Sequence, residues 1–290
     1  MSADATKTEG FALGPDGTAI YYRVAGNGPA IVLCDGILCE GFVWRYLRPV
    51  LAASHRVVHW NYRAHGRSGL PRDPARIDIV DHVEDLVAVL DALGIPNAII
   101  AGHSMGTQVC LELYRRHPER VRAMLLLCGS YGRITRTFQG SDVLYRLLPL
   151  LLEQRRRYPR LARALWAMTP ARLAWRLAKL TRQVDPERTR ADDMIPYFEH
   201  LGEMEPEYFL RMVQAAGEHS AEDMLPTVRV PTLVIAAERD SFTPSRLAEQ
   251  MARQIPNARY LMIDGGTHAA PIEQPAAVNA AVTQFLETCG

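Results

Sequence analysis

The sequence predicts an α/β protein, a mostly parallel sheet with helices on both faces, interrupted by a helical insertion. Three observations carry this reading. Short buried-type apolar runs alternate with amphipathic helical patterns over roughly the first 130 residues. Residues 131 to about 222 then hold helix-like stretches broken by Pro149, Pro159, Pro170, Pro186, Pro196 and Pro206, with no convincing strand. From Pro231 the alternation returns.

In order, Phe11–Leu13 and Ala19–Val24 flank a Pro15-Asp16-Gly17 turn and read as a hairpin. Ala30–Cys34 and Arg56–Trp60 are buried-type strands, and Phe42–Ala53 between them reads as one helix. Ile79, Val83, Leu86, Val87 and Leu90 fall on one helical face, in a segment that stops at Gly94. Ala98–Ala101 is a strand, Met105–His117 a helix and Val121–Leu127 a strand. After the insertion come Thr232–Ala236 (strand), Ser245–Gln254 (helix), Ala258–Ile263 (strand) and Pro275–Glu287 (helix).

Composition narrows the function classes. With 48% apolar residues, 22% charged and a net charge of +1, disorder is disfavoured and nothing invites nucleic acid. Cys34, Cys39, Cys110, Cys128 and Cys289 are scattered, with no C-x-x-C pair, so reduced thiols are expected rather than disulfides or a zinc site. Residues 1–30 lack the apolar core of a secretion signal, and no apolar run is long enough to span a bilayer. A cytoplasmic enzyme acting on a small molecule is expected, without metal or cofactor. Neither G-x-G-x-x-G, G-K-[ST] nor H-E-x-x-H occurs, and His55 and His59 at two ends of a strand lie about 13 Å apart, too far to share a metal.

The most telling stretch is Gly102-His103-Ser104-Met105-Gly106, between a strand and a helix. A serine in such a turn is lifted out of the fold as a nucleophile, with glycines at −2 and +2 where a Cβ would strike the neighbouring strand or helix. A serine hydroxyl needs a base, and the base needs an acid to fix its tautomer. The second half supplies Asp240, just past a strand, and His268, in a loop beyond the last strand. Asp240 could instead cap the following helix, although Thr243 or Ser241 suits that role better; Glu238 is the nearest competing acid.

With these motifs the chain resembles the α/β-hydrolase family over nearly its whole length apart from the insertion. Asn61-Tyr62-Arg63-Ala64-His65-Gly66-Arg67-Ser68 is similar to the family's D-x-R-G-H-G-x-S loop, and Asp35-Gly36-Ile37 stands where the family has His-Gly. The resemblance implies an eight-stranded twisted sheet, a core of residues 1–130 and 223–290, and a helical cap over 131–222. It implies Ser104, Asp240 and His268 as the catalytic triad, and the backbone N–H groups of Ile37 and Met105 as the oxyanion hole. It implies a serine hydrolase of carboxylic esters. Lactone, thioester and carbon–carbon bond hydrolysis share that triad, and from another class the fold can serve as a ligand receptor with little turnover. A serine nucleophile argues against the family's epoxide hydrolases and dehalogenases, and His65 matches a structural turn residue.

Four positions depart from the family pattern: Asp35 for histidine, Asn61 for aspartate, Ala64 for glycine and Thr107 for a frequent second glycine. A carboxylate facing the oxyanion hole would oppose the charge to be stabilised, so Asp35 must point away, be paired or be protonated. Asn61, at the end of the neighbouring strand, is one expected partner; an ion pair with Arg63 or plain solvation are the others. In the insertion, Tyr145, Trp166, Trp175, Tyr197, Phe198, Tyr208 and Phe209 are expected to form cap core or an apolar pocket for part of the substrate. The insertion is also split in charge, net +10 over 133–190 and −8 over 191–223. Two halves that pack together or present solvated faces are the plain reading. Contact with an anionic membrane surface, without stable insertion, or with an anionic substrate are the sharper ones. Oligomeric state is left open.

Overall fold

Alternate residues of the central strands face opposite sides, so each strand feeds two apolar layers. Val32 and Cys34 join one, Ile31 and Leu33 the other. The computed structural model describes residues 8–167 and 170–289. Its strands are β1 (Thr8–Leu13), β2 (Ala19–Ala25), β3 (Ala30–Cys34), β4 (Arg56–Trp60), β5 (Ala98–His103), β6 (Val121–Leu127), β7 (Thr232–Ala237) and β8 (Ala258–Ile263). They form one eight-stranded sheet in the order β1-β2-β4-β3-β5-β6-β7-β8. The β1–β2 and β2–β4 pairs are antiparallel and all others parallel.

Helices α1 (Leu47–Ala52), α2 (Ile79–Ala92), α3 (Met105–Arg116), α9 (Ser245–Gln254), α10 (Ala270–Glu273) and α11 (Pro275–Glu287) accompany the sheet. Between β6 and β7 lie α4 (Val143–Arg157), α5 (Pro159–Ala167), α6 (Ala171–Leu180), α7 (Ala191–Glu203) and α8 (Pro206–Glu218). The register of the parallel strands matters most for function. Cys34 pairs with Gly102, His103 with Leu127, Leu127 with Ile235, and Ala237 with Ile263. The strands therefore end together, and the loops that follow β3, β5, β6, β7 and β8 gather at one edge of the sheet.

Prolines account for two differences from the sequence reading. The helix expected over Phe42–Ala53 is instead a 3-10 turn at Phe42–Trp44 followed by α1. Pro49 has no N–H to donate to Arg45, so it fits most easily in the first turn of a helix, and α1 begins two residues before it. In the insertion, Pro149 and Pro196 do not break their helices but lie inside α4 and α7. Pro196 leaves the Asp192 carbonyl without its helical donor, and Arg45 Nη1 donates to that oxygen at 3.0 Å.

Candidate active site

Ser104 sits on the turn from β5 into α3 with φ 55° and ψ −120°, a strained backbone for any residue with a side chain. The turn survives because its neighbours are glycines. A Cβ on Gly102 would strike the Gly106 backbone, and one on Gly106 would strike the Cys34 carbonyl. The same crowding explains Thr107, whose hydroxyl fills the space left by Gly129. Ala64, where the family has glycine, takes φ 61°.

Asp240 and His268 come together although 28 residues apart. His268 Nδ1 lies 2.8 Å from Asp240 Oδ2, an arrangement that puts the ring proton on Nδ1 and leaves the Nε2 lone pair free. The Asp240 carboxylate is buried and well supplied. Its Oδ1 accepts from the N–H groups of Phe242 (2.9 Å) and Thr243 (2.8 Å), and its Oδ2 lies 2.8 Å from Thr243 Oγ1. The Phe242 ring stacks on the imidazole at 4.9 Å. None of Asp240, Ser241 or Thr243 caps α9, contrary to the sequence reading. The N-cap is Pro244, and the carboxylate is occupied by its own loop and by His268. Glu238 is turned away, accepting from the Gly265 N–H at 2.7 Å. Ser104 and His268 line one cavity; among the described residues no hydrogen bond joins their side chains.

Asp35 is resolved in a way the sequence does not foretell. Only 2% exposed, it accepts from Trp44 Nε1 (2.7 Å) and Gly41 N (2.9 Å), and its Oδ2 lies 2.8 Å from His59 Nε2. Arg23 Nε donates to the other His59 nitrogen at 3.1 Å, so the Nε2 proton points at Asp35. The expected bond to Asn61 does not form. Asn61 Oδ1 accepts from Arg67 N, and its buried Nδ2 has no partner among the described residues. Arg63 is likewise engaged elsewhere, with both Asp85 oxygens at 2.6–2.7 Å. The carboxylate thus staples the 36–41 loop to the core, and Tyr62 and His65 add to this. Tyr62 donates to the Asp35 carbonyl (2.7 Å), and Leu38 N donates to His65 Nε2 (3.2 Å). Burial, with His200 nearby, pushes His65 down to about 4, so it is a neutral acceptor at neutral pH.

Two further groups support the histidine loop and carry no sequence signal. His103 Nε2 lies 3.0 Å from the His268 carbonyl, and burial pushes His103 down to about 4 as well. Glu273 binds Thr267 through its N–H (2.9 Å) and hydroxyl (2.7 Å), and also accepts from Asp185 N (2.7 Å) and Thr189 Oγ1 (3.1 Å). Arg239 joins the Asp185 carboxylate at 2.9 Å and the Gly265 carbonyl. The 185–189 loop of the insertion is thereby tied to both loops that carry Asp240 and His268.

The cavity measures about 530 Å³. Its floor is Gly36, Ile37, His103, Ser104 and His268, and its walls are mostly hydrocarbon and aromatic, with no Asp, Glu, Lys or Arg lining it among the described residues. Of the seven aromatic residues singled out in the insertion, Trp166, Tyr197, Phe198 and Phe209 line it. Trp175 and Tyr208 are packed into core clusters, and Tyr145 lies on the surface under Arg136. Helical spacing defines a face but not the neighbour that the face meets. The uncharged wall also gives no support to recruitment of an anionic substrate.

This edge of the sheet, with a strained serine and a carboxylate-held histidine at one cavity, is the arrangement of a hydrolase. A model of the alpha/beta hydrolase fold family matches residues 29–275, and the chain belongs to that family. It is 31% identical over 283 residues to "Putative carbamate hydrolase RutD" of Azorhizobium caulinodans, covering 93% of this chain and 95% of that one. Among solved structures it is similar to a hydrolase from Pseudomonas aeruginosa (TM-score 0.77, 23% identity, 96% and 98% covered), which shows the shared fold. It is also similar to Est816, described as an N-acyl homoserine lactone degrading enzyme (TM-score 0.69, 26% identity, 95% and 100% covered). Other similar proteins include epoxide hydrolases, esterases, an enol-lactonase and a meta-cleavage product hydrolase, so the relatives share a hydrolase frame and not one bond type.

Proposed function

We propose that the chain is a serine hydrolase that cleaves neutral, largely apolar carboxylic esters through an acyl-enzyme on Ser104. The observation that carries this reading is one apolar cavity with Ser104 and His268 at its floor and Asp240 on the far side of the imidazole. Ser104 Oγ attacks the carbonyl carbon while His268 Nε2 takes its proton, a contact that tightens when substrate is bound. The carbonyl oxygen gains a negative charge beside the N–H groups of Ile37 and Met105. Met105 is the first residue of α3, so its N–H has no acceptor within the helix and is free to donate. Collapse of the tetrahedral intermediate breaks the bond to the alcohol oxygen, which leaves with the proton from His268. Water then attacks the acyl carbon, His268 takes its proton, and Ser104 leaves with that proton as the acid is released. Asp240 holds the imidazole and stabilises its cationic form throughout.

The five-helix segment between β6 and β7 acts as a cap in this reading, shaping the acyl or alcohol pocket without entering the chemistry. The test is turnover on p-nitrophenyl esters of increasing acyl length, with lactones, a carbamate and a thioester alongside. Medium-chain esters are expected to turn over at about 1–10³ s⁻¹, with loss in Ser104→Ala. Turnover below about 0.01 s⁻¹ on every substrate, with tight binding of one of them, would instead point to a ligand receptor.

A further inference from the structure

Helices α4, α5 and α6 turn an unusual face outward. On α6, Leu173, Leu177 and Leu180 repeat at the spacing of one helical stripe and are 48%, 48% and 80% exposed. Leu147 and Leu150 do the same on α4, and Leu161 and Leu165 on α5, each about half exposed. Beside the α6 leucines runs a second stripe, Arg172, Arg176 and Lys179. Over residues 143–182 there are ten cationic side chains and one anionic, Glu153. Scattered exposed leucines are ordinary; three consecutive helices with leucine stripes set among arginines are not.

The charge is not absorbed within the molecule. The two halves of the insertion do meet, through Arg155–Glu207 (2.7 Å) and Arg163–Glu205. Arg157, Arg160, Arg172, Arg176, Lys179 and Arg182 have no carboxylate within 4.0 Å among the described residues. Part of the acidic half is engaged elsewhere: Glu207 also holds Arg211, Asp193 holds Arg45, and Asp223 holds Arg115.

We propose that the outer faces of α4, α5 and α6 dock on an anionic lipid surface. Leucines next to guanidinium groups match the boundary between headgroups and acyl chains, where apolar side chains enter and cations stay with phosphate. Among the described residues no helix is long and apolar enough to cross a membrane, so the contact is peripheral. The surface also leads inward. Leu151 is 45% exposed and at the same time lines the cavity, next to Leu144 and Leu148 of the same helix. At Leu151 the proposed docking face thus adjoins the cavity. The docking itself does not depend on the chemistry assigned to Ser104.

The test is co-sedimentation of the full chain with vesicles of phosphatidylcholine alone or of phosphatidylcholine mixed equally with phosphatidylglycerol. Binding to the anionic vesicles is expected to be about 10-fold tighter or more, and to fall steeply as salt shortens the screening length. The triple variant Leu173→Gln, Leu177→Gln, Leu180→Gln and the triple variant Arg172→Glu, Arg176→Glu, Lys179→Glu should each weaken it about 10-fold or more. All six positions lie outside the cavity wall and five are exposed, so circular dichroism and melting should be unchanged in the leucine variant and in the double variant Arg172→Glu, Arg176→Glu, which leaves the half-buried Lys179 on the Trp175 ring and should weaken binding in the same direction. Equal sedimentation with both vesicle types overturns the proposal. So does binding that survives the leucine variant, which would be charge adhesion alone. A stable dimer in light scattering that the leucine variant dissolves, without vesicle binding, assigns the face to a second copy and overturns it as well.

Discussion

The loops of the sheet and the helices of the insertion meet at one cavity but bring opposite materials to it. The loops contribute polar groups fixed from several sides. Asp35, Asp240 and Glu273 each engage three or more neighbours, and all are buried. The insertion contributes leucines, aromatic rings and the amide of Gln183. A buried carboxylate with its full set of donors cannot shift without leaving several of them unsatisfied, whereas an apolar wall can repack at small cost. Under the proposed function, the difference makes bond cleavage and substrate fit separable. Variants in the loops should change the rate for every substrate, and variants in the insertion should change which substrate is preferred.

The largest expected effect lies at the loops. His268→Ala should lower kcat by about 10⁴–10⁶-fold and Asp240→Asn by about 10³–10⁴-fold, on short and long acyl esters alike. Steady-state kinetics on two chain lengths checks this; a loss confined to one of them would break the separation. A smaller effect is expected one layer out. Asp35→Asn puts an N–H donor against Trp44, Gly41 or His59, loosens the 36–41 loop, and should lower kcat by about 10–100-fold with KM little changed. Thermal melting should show a cost of about 1–3 kcal/mol in the same variant. If stability falls and kcat does not, Asp35 serves the fold alone.

The insertion is probed by bulk. Leu148→Trp narrows the cavity wall and should reduce kcat/KM for long acyl esters about 10-fold relative to acetate, leaving kcat on acetate within a few-fold. The same loss on both substrates would place the insertion in the chemistry.

The smallest effect concerns acid. His65 and His103 are held at about 4 against an ordinary 6.5, so between those values the unfolded chain binds the extra protons and stability falls as pH falls. At Glu112, burial acts to raise the carboxyl, but His219, Arg116 and Arg115 outweigh it and hold the group at about 2 against 4.5. Its contribution is present above 4.5 and is lost on the way down to 2. All three groups lie on the sheet side or where the insertion joins it. Calorimetry between pH 7 and 4 should show a steady decline in Tm, and a flat profile would contradict the assignment of these groups as neutral or paired in the fold.

What could be read from the sequence follows the range of the interactions involved. The Ser104 elbow is legible because its causes are local: a strand, two glycines and a helix start within a few residues. Asp240 and His268 are legible as loop residues beyond strands that the alternation already defines. The partners of Asp35 are not, because β4 sits beside β3 and delivers His59 from 24 residues away, while the donors at Gly41 and Trp44 depend on a 3-10 turn where the sequence reads as one helix. Glu273 is equally silent, since two of its four bonds reach into an insertion loop 84–88 residues back. The spacing of Leu173, Leu177 and Leu180 is that of one helical stripe in the sequence, but only packing reveals that the stripe remains uncovered.

The central claim is that Ser104 is the nucleophile. Folded protein treated with a fluorophosphonate probe and digested for mass spectrometry tests it most directly. The account predicts one adduct, on the peptide that holds Ser104, absent in Ser104→Ala and slowed by several orders of magnitude in His268→Ala. Unmodified Ser104 in active, folded protein, or an adduct that persists in Ser104→Ala, would contradict it.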